Sequence, residues 1–457
     1  MPRRSGEVAL ASYKMLGPFP LPFAESETYP RSLIELRLNA LSASIRNKAD
    51  WHSKRLNPEI VAKWQQEASV QHFAPAQFKF VIDELGYYDK LCNGSIEVAE
   101  VDGVWRAPAL FPPDVSSNFT RLVAHLSDIP DPEKDWHPGS NNTVLDLVHP
   151  SLYLFVSGKT RTVSVDPENG RTCLPTSLPE IQIWNSPQFT STKYQWIPTP
   201  VTIDASGKAT FISYINNLHP EHHRELYSIL AQMFSQVLPL FERVLSFLKT
   251  PRTPKIDLTD HQMYDESGEP EGEDDDDLGD RYEEWYENRP LNPISIPDYV
   301  EPTAITPVTL RECRLQVIVK IQEIHLTPEN PVYDGGVWHV EGMENEAIVA
   351  SAIYYYDCSN ITECTLSFRQ AVQEPDYEQS DHRGVEAVFG LVDGGPLVQP
   401  LGSMITKVSY LQQIMKLTLR SRGLWWLGPI SISIEFPLLS LSTNQNQGSE
   451  GFWCSSS

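Results

Sequence analysis

The chain has 457 residues, enough for one large domain with extensions or for two to three ordinary ones, and 40% of them are hydrophobic, enough to build a sizeable core. Its formal net charge is -24, which argues against nucleic acid and anionic membrane surfaces as partners. Roughly half of that charge sits between Asp265 and Glu287, so the remainder is only mildly acidic. The six cysteines are scattered and form no CxxC pair, which reads as free thiols in a reducing compartment. No apolar run is long enough for a signal peptide or a membrane span, so the cytoplasm or nucleus is the expected location.

Residues 1–28 read as a flexible N-terminus, and 29–93 as a helical domain. Ser32 to Asn47 carries Leu33, Leu36, Leu38, Leu41 and Ile45 at mostly helical spacing. Asn57 followed by Pro58 marks a capped helix start, and Pro75 to Leu91 is a third helix. Glu97 to Trp105 reads as a short hairpin and Asp114 to Leu126 as a helix. Between Pro130 and Pro200 the chain is rich in Pro, Asn and Ser, with short strands such as Thr160 to Val165 and Ile181 to Trp184. Phe211 to Ile215 reads as a buried strand, and His219 to Leu248 as a long amphipathic helix.

The acidic stretch 265–289 has too little apolar surface to offset its ordering entropy, and it reads as a disordered loop able to contact a basic partner. Beyond it the pattern becomes β-rich. Leu315 to Ile324, Val337 to Val340, Ala347 to Tyr356, Thr365 to Phe368 and Val385 to Leu391 are short strands between turns, which argues for an antiparallel barrel or jelly roll.

Three His-x-Glu triplets occur, at His219 and Glu221, His223 and Glu225, and His339 and Glu341. The first two fall at a helix start, where i and i+2 diverge. The third falls in an expected strand, where i and i+2 share a face and could take adjacent positions on one metal ion. A second histidine from a distant strand would complete a 2-His-1-carboxylate set. The alternative is an ordinary polar strand face. His219 and His223 stand at the i, i+4 spacing of a zinc-protease helix, but Pro220 occupies the place of the required glutamate and fits a helix start better.

The runs DPEKDWHPGSNNTVLDLVHPSLYLFVSG (131–158), ISYINNLHPEHH (212–223), GGVWHVEGMENEAIVASAIYYYD (335–357) and DHRGVEAVFGLVDGGPLVQPLGSMITK (381–407) resemble the fungal domain-of-unknown-function family DUF4246. The likeness covers about residue 30 to Lys407. It implies an α+β fold in which the N-terminal helical region precedes a double-stranded β-helix core, cupin- or jelly-roll-like, over 94–407. It also implies a likeness to Fe(II)/2-oxoglutarate oxygenases, with His339 and Glu341 as metal ligands, Fe(II) and 2-oxoglutarate as cofactors, and a substrate that is not defined. Tyr354 and Tyr356 alternate to one face of the next strand and are candidates for the pocket wall, with aromatic core packing as the alternative.

The likeness stops after Lys407, so the core is expected to be incomplete at its C-terminus and 408–457 to be a non-native or disordered tail. Val408 and Ser409 can be encoded by an intron donor, and Leu417 and Thr418 by a branch point. Shifted by one base, DNA encoding Pro429 to Leu438 can read PNIYQHRVSPF, and DNA encoding Asn446 to Cys454 can read KPGFRRILVL. Both are family motifs, one carrying the distal histidine and the other a late arginine for the far carboxylate of 2-oxoglutarate. A retained intron followed by a frameshift explains the tail. As written, the chain lacks both residues and is expected to be inactive. His382 is then the one histidine downstream of Glu341 and a substitute ligand. A non-catalytic, cupin-like binding or scaffold protein is the alternative function.

Overall fold

The fold is described from a computed structural model. The structure describes residue 19 and residues 29–391, except 100–102, 167–169, 176–188, 251–252, 272–275, 303–304, 334, 336–338, 358, 362–366, 370–374 and 376–381, together with 413–420, 433–435 and 439–440.

Helix α1 (Leu33–Arg46) begins where expected, with the Ser32 hydroxyl accepting the Glu35 N–H and leaving one fewer orphan donor in the first turn. Helix α2 (Pro58–Val70) starts with Pro58 in its first turn, capped by Asn57, whose side-chain oxygen accepts from the N–H groups of Glu59 and Ile60. Helix α3 is Pro75–Leu91. The hairpin of Glu97–Val98 with Trp105–Arg106 and helix α4 (Pro113–Ser127) also follow the pattern.

The helical domain does not close at residue 93. Its core of Leu38, Ile45, Trp51, Trp64, Phe78, Val81 and Leu85 takes in Ile256 and is flanked by Leu258, Ile294, Ile296 and Tyr299. Lys255 forms an ion pair with Glu84, whose side chain is 4% exposed. A segment far along the chain therefore seals the N-terminal helices, an arrangement that hydrophobic periodicity does not encode.

A mixed helix-and-sheet architecture is observed, with a curled antiparallel half-barrel sheet. Strand β4 (Arg314–Ile324) is its spine. One edge of β4 pairs with β1 (Val144–Val148) near its end and with β2 (Thr199–Ile203) near its start. The other edge pairs with β6 (Gln413–Arg420), which in turn pairs with β5 (Ile348–Tyr355). Strand β3 (Ala209–Phe211) extends the β2 side. All of these pairings are antiparallel. The leucine- and phenylalanine-rich helix α5 (Arg224–Leu248), with α4, buries one face of the sheet against Leu315, Val317, Val319 and Ile321.

Several expectations need correction. The expected strand at Phe211 to Ile215 ends at Phe211, and Ile212 and Tyr214 are about half exposed. Helix α5 starts at Arg224 rather than His219, because His219 Nδ1 accepts the Glu221 and His222 N–H groups and holds 219–223 as turns. Part of the expected disordered loop is helix α6 (Asp276–Asn288). Arg289 sits over the rings of Tyr264, Trp285 and Tyr286, aromatic and cationic contacts that composition alone undervalues. Val385 to Leu391 is not a strand; His382–Phe389 forms helix α7, with Val385, Val388 and Phe389 buried at helical spacing. Within the expected tail, Gln413–Arg420 is a strand inside the main sheet. The expected strand Ile181 to Trp184 lies outside the described residues.

Candidate metal centre

Three side chains that can ligate a metal converge at the end of β1. His137, Asp146 and His149 each offer one ligand atom, and these atoms lie within 4.8 Å of one another. Local backbone geometry explains the convergence. The segment before β1 turns back on it through a hairpin, with Trp136 paired to Leu145. The His137 N–H donates to the Val144 carbonyl at 2.8 Å, and the Asp146 N–H to the Asp135 carbonyl at 2.9 Å. That register sets His137 and Asp146 on one face.

His149 needs a different device. Asp146 and His149 are three residues apart, a spacing that points to opposite faces in a regular strand. The pairing of β1 with β4 runs Gln322 to Asp146 and then Ile321 to Val148, so one extra residue is accommodated between them. This bulge reverses the alternation and returns His149 to the face of Asp146.

The cluster is graded from buried to open. Asp146 and His149 are 6% and 5% exposed, whereas the His137 side chain is 40% exposed. Both carboxylate oxygens of Asp146 are engaged. Oδ2 meets His137 Nδ1 at 2.9 Å, and Oδ1 accepts from Gln322. His149 Nδ1 accepts the Ser151 N–H at 3.1 Å, while its Nε2 is buried with no hydrogen-bond partner. Burial, reinforced by the Lys320 charge, lowers the His149 pKa to about 4, although Asp146 and Glu341 pull it upward. The ring is therefore neutral at pH 7, the form in which histidine binds metals.

The expected ligand pair is distributed differently. His339 is exposed, and Glu341 is half-buried in a bend rather than a strand. The reason is Gly342, at φ +71°, where an added Cβ would meet Ile348 Cδ1 at 2.9 Å; the chain turns there. Glu341 nonetheless comes close enough to His149 for its charge to bear on the ring. The following turn is stitched to a neighbouring loop. Glu346 accepts the Trp196 backbone N–H at 2.9 Å, and the Trp196 indole N–H donates to Ser151 at 3.1 Å. Trp196 stands edge-on to His149, with centroids 6.4 Å apart. Val337 and Trp338 lie outside the described residues, as does the side chain of His382, whose backbone opens α7.

Tyr354 and Tyr356 sit on the opposite side of the sheet. Tyr354 packs edge-on to Phe111 and donates to Ser116 at 3.0 Å; Tyr356 packs edge-on to Phe119 and is buried. Both belong to the sheet–helix core, which is the packing alternative. The stretch holding His137, Asp146 and His149 had been visible only as part of a family likeness. Its ligand spacing becomes meaningful only once the hairpin and the bulge are known.

The fold and the cluster define an α+β protein with a histidine- and carboxylate-bearing centre on a curled antiparallel sheet. The chain belongs to the family described as "Protein of unknown function (DUF4246)", whose model matches residues 75–411, and the family's N-terminal domain of unknown function matches residues 10–67. No curated protein and no solved structure matches the chain.

Proposed function

We propose that this chain has the plan of a non-haem Fe(II)/2-oxoglutarate-dependent oxygenase on a jelly-roll-like core and that, as written, it does not turn over. What supports this reading is the curled antiparallel sheet together with the place of Glu341, half-buried in the bend after His339 and within electrostatic reach of the buried His149. His339 and Glu341 would supply two donors for Fe(II), which with 2-oxoglutarate provides oxidation by O₂ when bound. His382 at the start of α7 would be the substitute third donor. The protein's own contribution is positioning: the Gly342 turn and the Glu346–Trp196 contact hold the Glu341 segment against the sheet.

The exposure of His339 and the core packing of Tyr354 and Tyr356 favour a second reading, a non-catalytic binding or scaffold protein. Among the described residues no helix is long and apolar enough to cross a membrane. The cytoplasm or nucleus is the proposed location, and the acidic face around α6 the proposed contact for a basic partner.

The test compares two proteins supplied anaerobically with Fe(II) and then with 2-oxoglutarate and O₂. One is the chain as written; the other carries the shifted-frame sequence after Lys407. Succinate formation by the second alone is the expected result. If the second protein binds Fe(II) but forms no succinate, or binds no Fe(II), the oxygenase reading fails and the scaffold reading stands.

A further inference from the structure

We propose that His137, Asp146 and His149 form a binding site for one divalent first-row transition-metal ion. This goes beyond the oxygenase reading, because the ligands lie on a different part of the chain and the claim needs no oxidation.

Two imidazoles and one carboxylate are the donor set that suits Zn(II), Fe(II), Co(II) or Mn(II). Ligands of one such ion, at about 2.1 Å from it, stand no more than about 4.2 Å apart. The three donors, all within 4.8 Å of one another, need only a small side-chain adjustment to meet that limit. The 2.9 Å between His137 Nδ1 and Asp146 Oδ2 already matches the separation of adjacent ligands. The open side at His137 gives an ion its entry and leaves room for water as a further ligand.

A purely structural hydrogen-bond network accounts for Asp146, which is fully engaged, and for His137. It does not account for His149 Nε2, a ring nitrogen buried without a partner. Such an atom costs free energy that a bound ion would recover. With Nδ1 accepting from Ser151, Nε2 carries the proton in the metal-free ring. Coordination through Nε2 therefore requires the proton to leave Nε2 and Nδ1 to become the protonated nitrogen, which breaks the Ser151 contact. Ser151 is exposed in a turn, so its N–H can pass to water. Metal loading is thus coupled to release of one named amide.

The experiment uses the full chain, stripped with a chelator and titrated with Zn(II) by calorimetry and with Co(II) by visible absorbance. One equivalent binds. Asp146→Asn and His137→Ala each weaken binding by about 100-fold or more, beyond the 10–100-fold usual for outer-shell changes. His339→Ala and Glu341→Gln shift it by less than about threefold. Hydrogen exchange at the Ser151 amide quickens when metal is added. Should Asp146→Asn fail to fold, His137→Ala, at a half-open position, decides the matter alone. Absence of a one-equivalent site overturns the proposal, as does binding indifferent to His137 and Asp146, or lost equally through His339. The two readings fail separately: if the protein with the shifted-frame sequence binds one equivalent of metal through these three residues and forms no succinate, the oxygenase reading falls and this site stands.

Discussion

The helical core and the sheet core are assembled in opposite ways. The first takes Leu38, Leu41, Ile45, Trp64, Phe78, Val81 and Leu85 from one short stretch of chain, then adds a distant cover through Ile256 and Tyr299. The second draws Phe119, Val148, Val201, Phe234, Val319 and Tyr356 from segments dispersed over more than half the chain. Local contacts leave a periodic trace in the sequence; non-local ones leave only strand-like runs without partners. The metal cluster combines both modes, being local in sequence yet dependent on the pairing of β1 with the remote β4.

Mutations at matched depths can break this comparison. The largest effect is expected for Phe234→Ala, a fully buried ring between α5 and the sheet, which should destabilise by about 3–5 kcal/mol. If urea unfolding of that variant leaves the helical region's tryptophan signal on a separate, unshifted transition, the two cores are independent units. A single shifted transition means that they fold together.

Lys255→Met tests the remote cover of the helical core. It leaves Glu84 buried and unpaired, at a cost of about 3 kcal/mol. The double change with Glu84→Leu should recover most of that loss, because the buried charge goes with its partner. A Lys255→Met protein of unchanged stability would mean that the 256–299 segment does not seal the helices in solution.

Asn57→Ala removes two accepted N–H bonds at the start of α2 and should cost about 1 kcal/mol, measured by thermal unfolding. The smallest effect is expected at Asp89, which meets His52 at 2.6 Å and Arg55. Burial pushes its carboxyl upward, but hydrogen bonds from Arg55 and His52 and their charges hold it below the ordinary carboxylate range. A folded-state pKa below the unfolded one means that this contribution is present above about pH 4 and is lost as pH falls through the folded value. With a third of the side chain exposed, the contribution is a few tenths of a kcal/mol. Asp89→Asn should flatten the acid limb of the stability curve by that amount and leave metal binding at neutral pH unchanged.

The helices around Ser32, Asn57–Pro58 and Pro75 were legible because caps, proline placement and the 3.6-residue period are local rules. The strands β4 and β5 were legible as runs of branched and aromatic residues. Val385, Val388 and Phe389 were not, because a short apolar run suits a strand or a helix equally until its burial is known. The bend at Glu341 and Gly342, just past the expected strand Val337 to Val340, was likewise not legible, since alternation says nothing of a glycine with positive φ.

The sequence alone determined the helix starts, the β-rich second half, the concentration of acidic charge and the family to which the chain belongs, since each is written in neighbouring residues. Only the tertiary structure decided that β1 bulges against β4 and that Asp146 and His149 consequently share a face with His137. The physical reason is parity: side chains alternate along a strand, and one extra residue, accommodated only through pairing with a distant strand, reverses which of them meet.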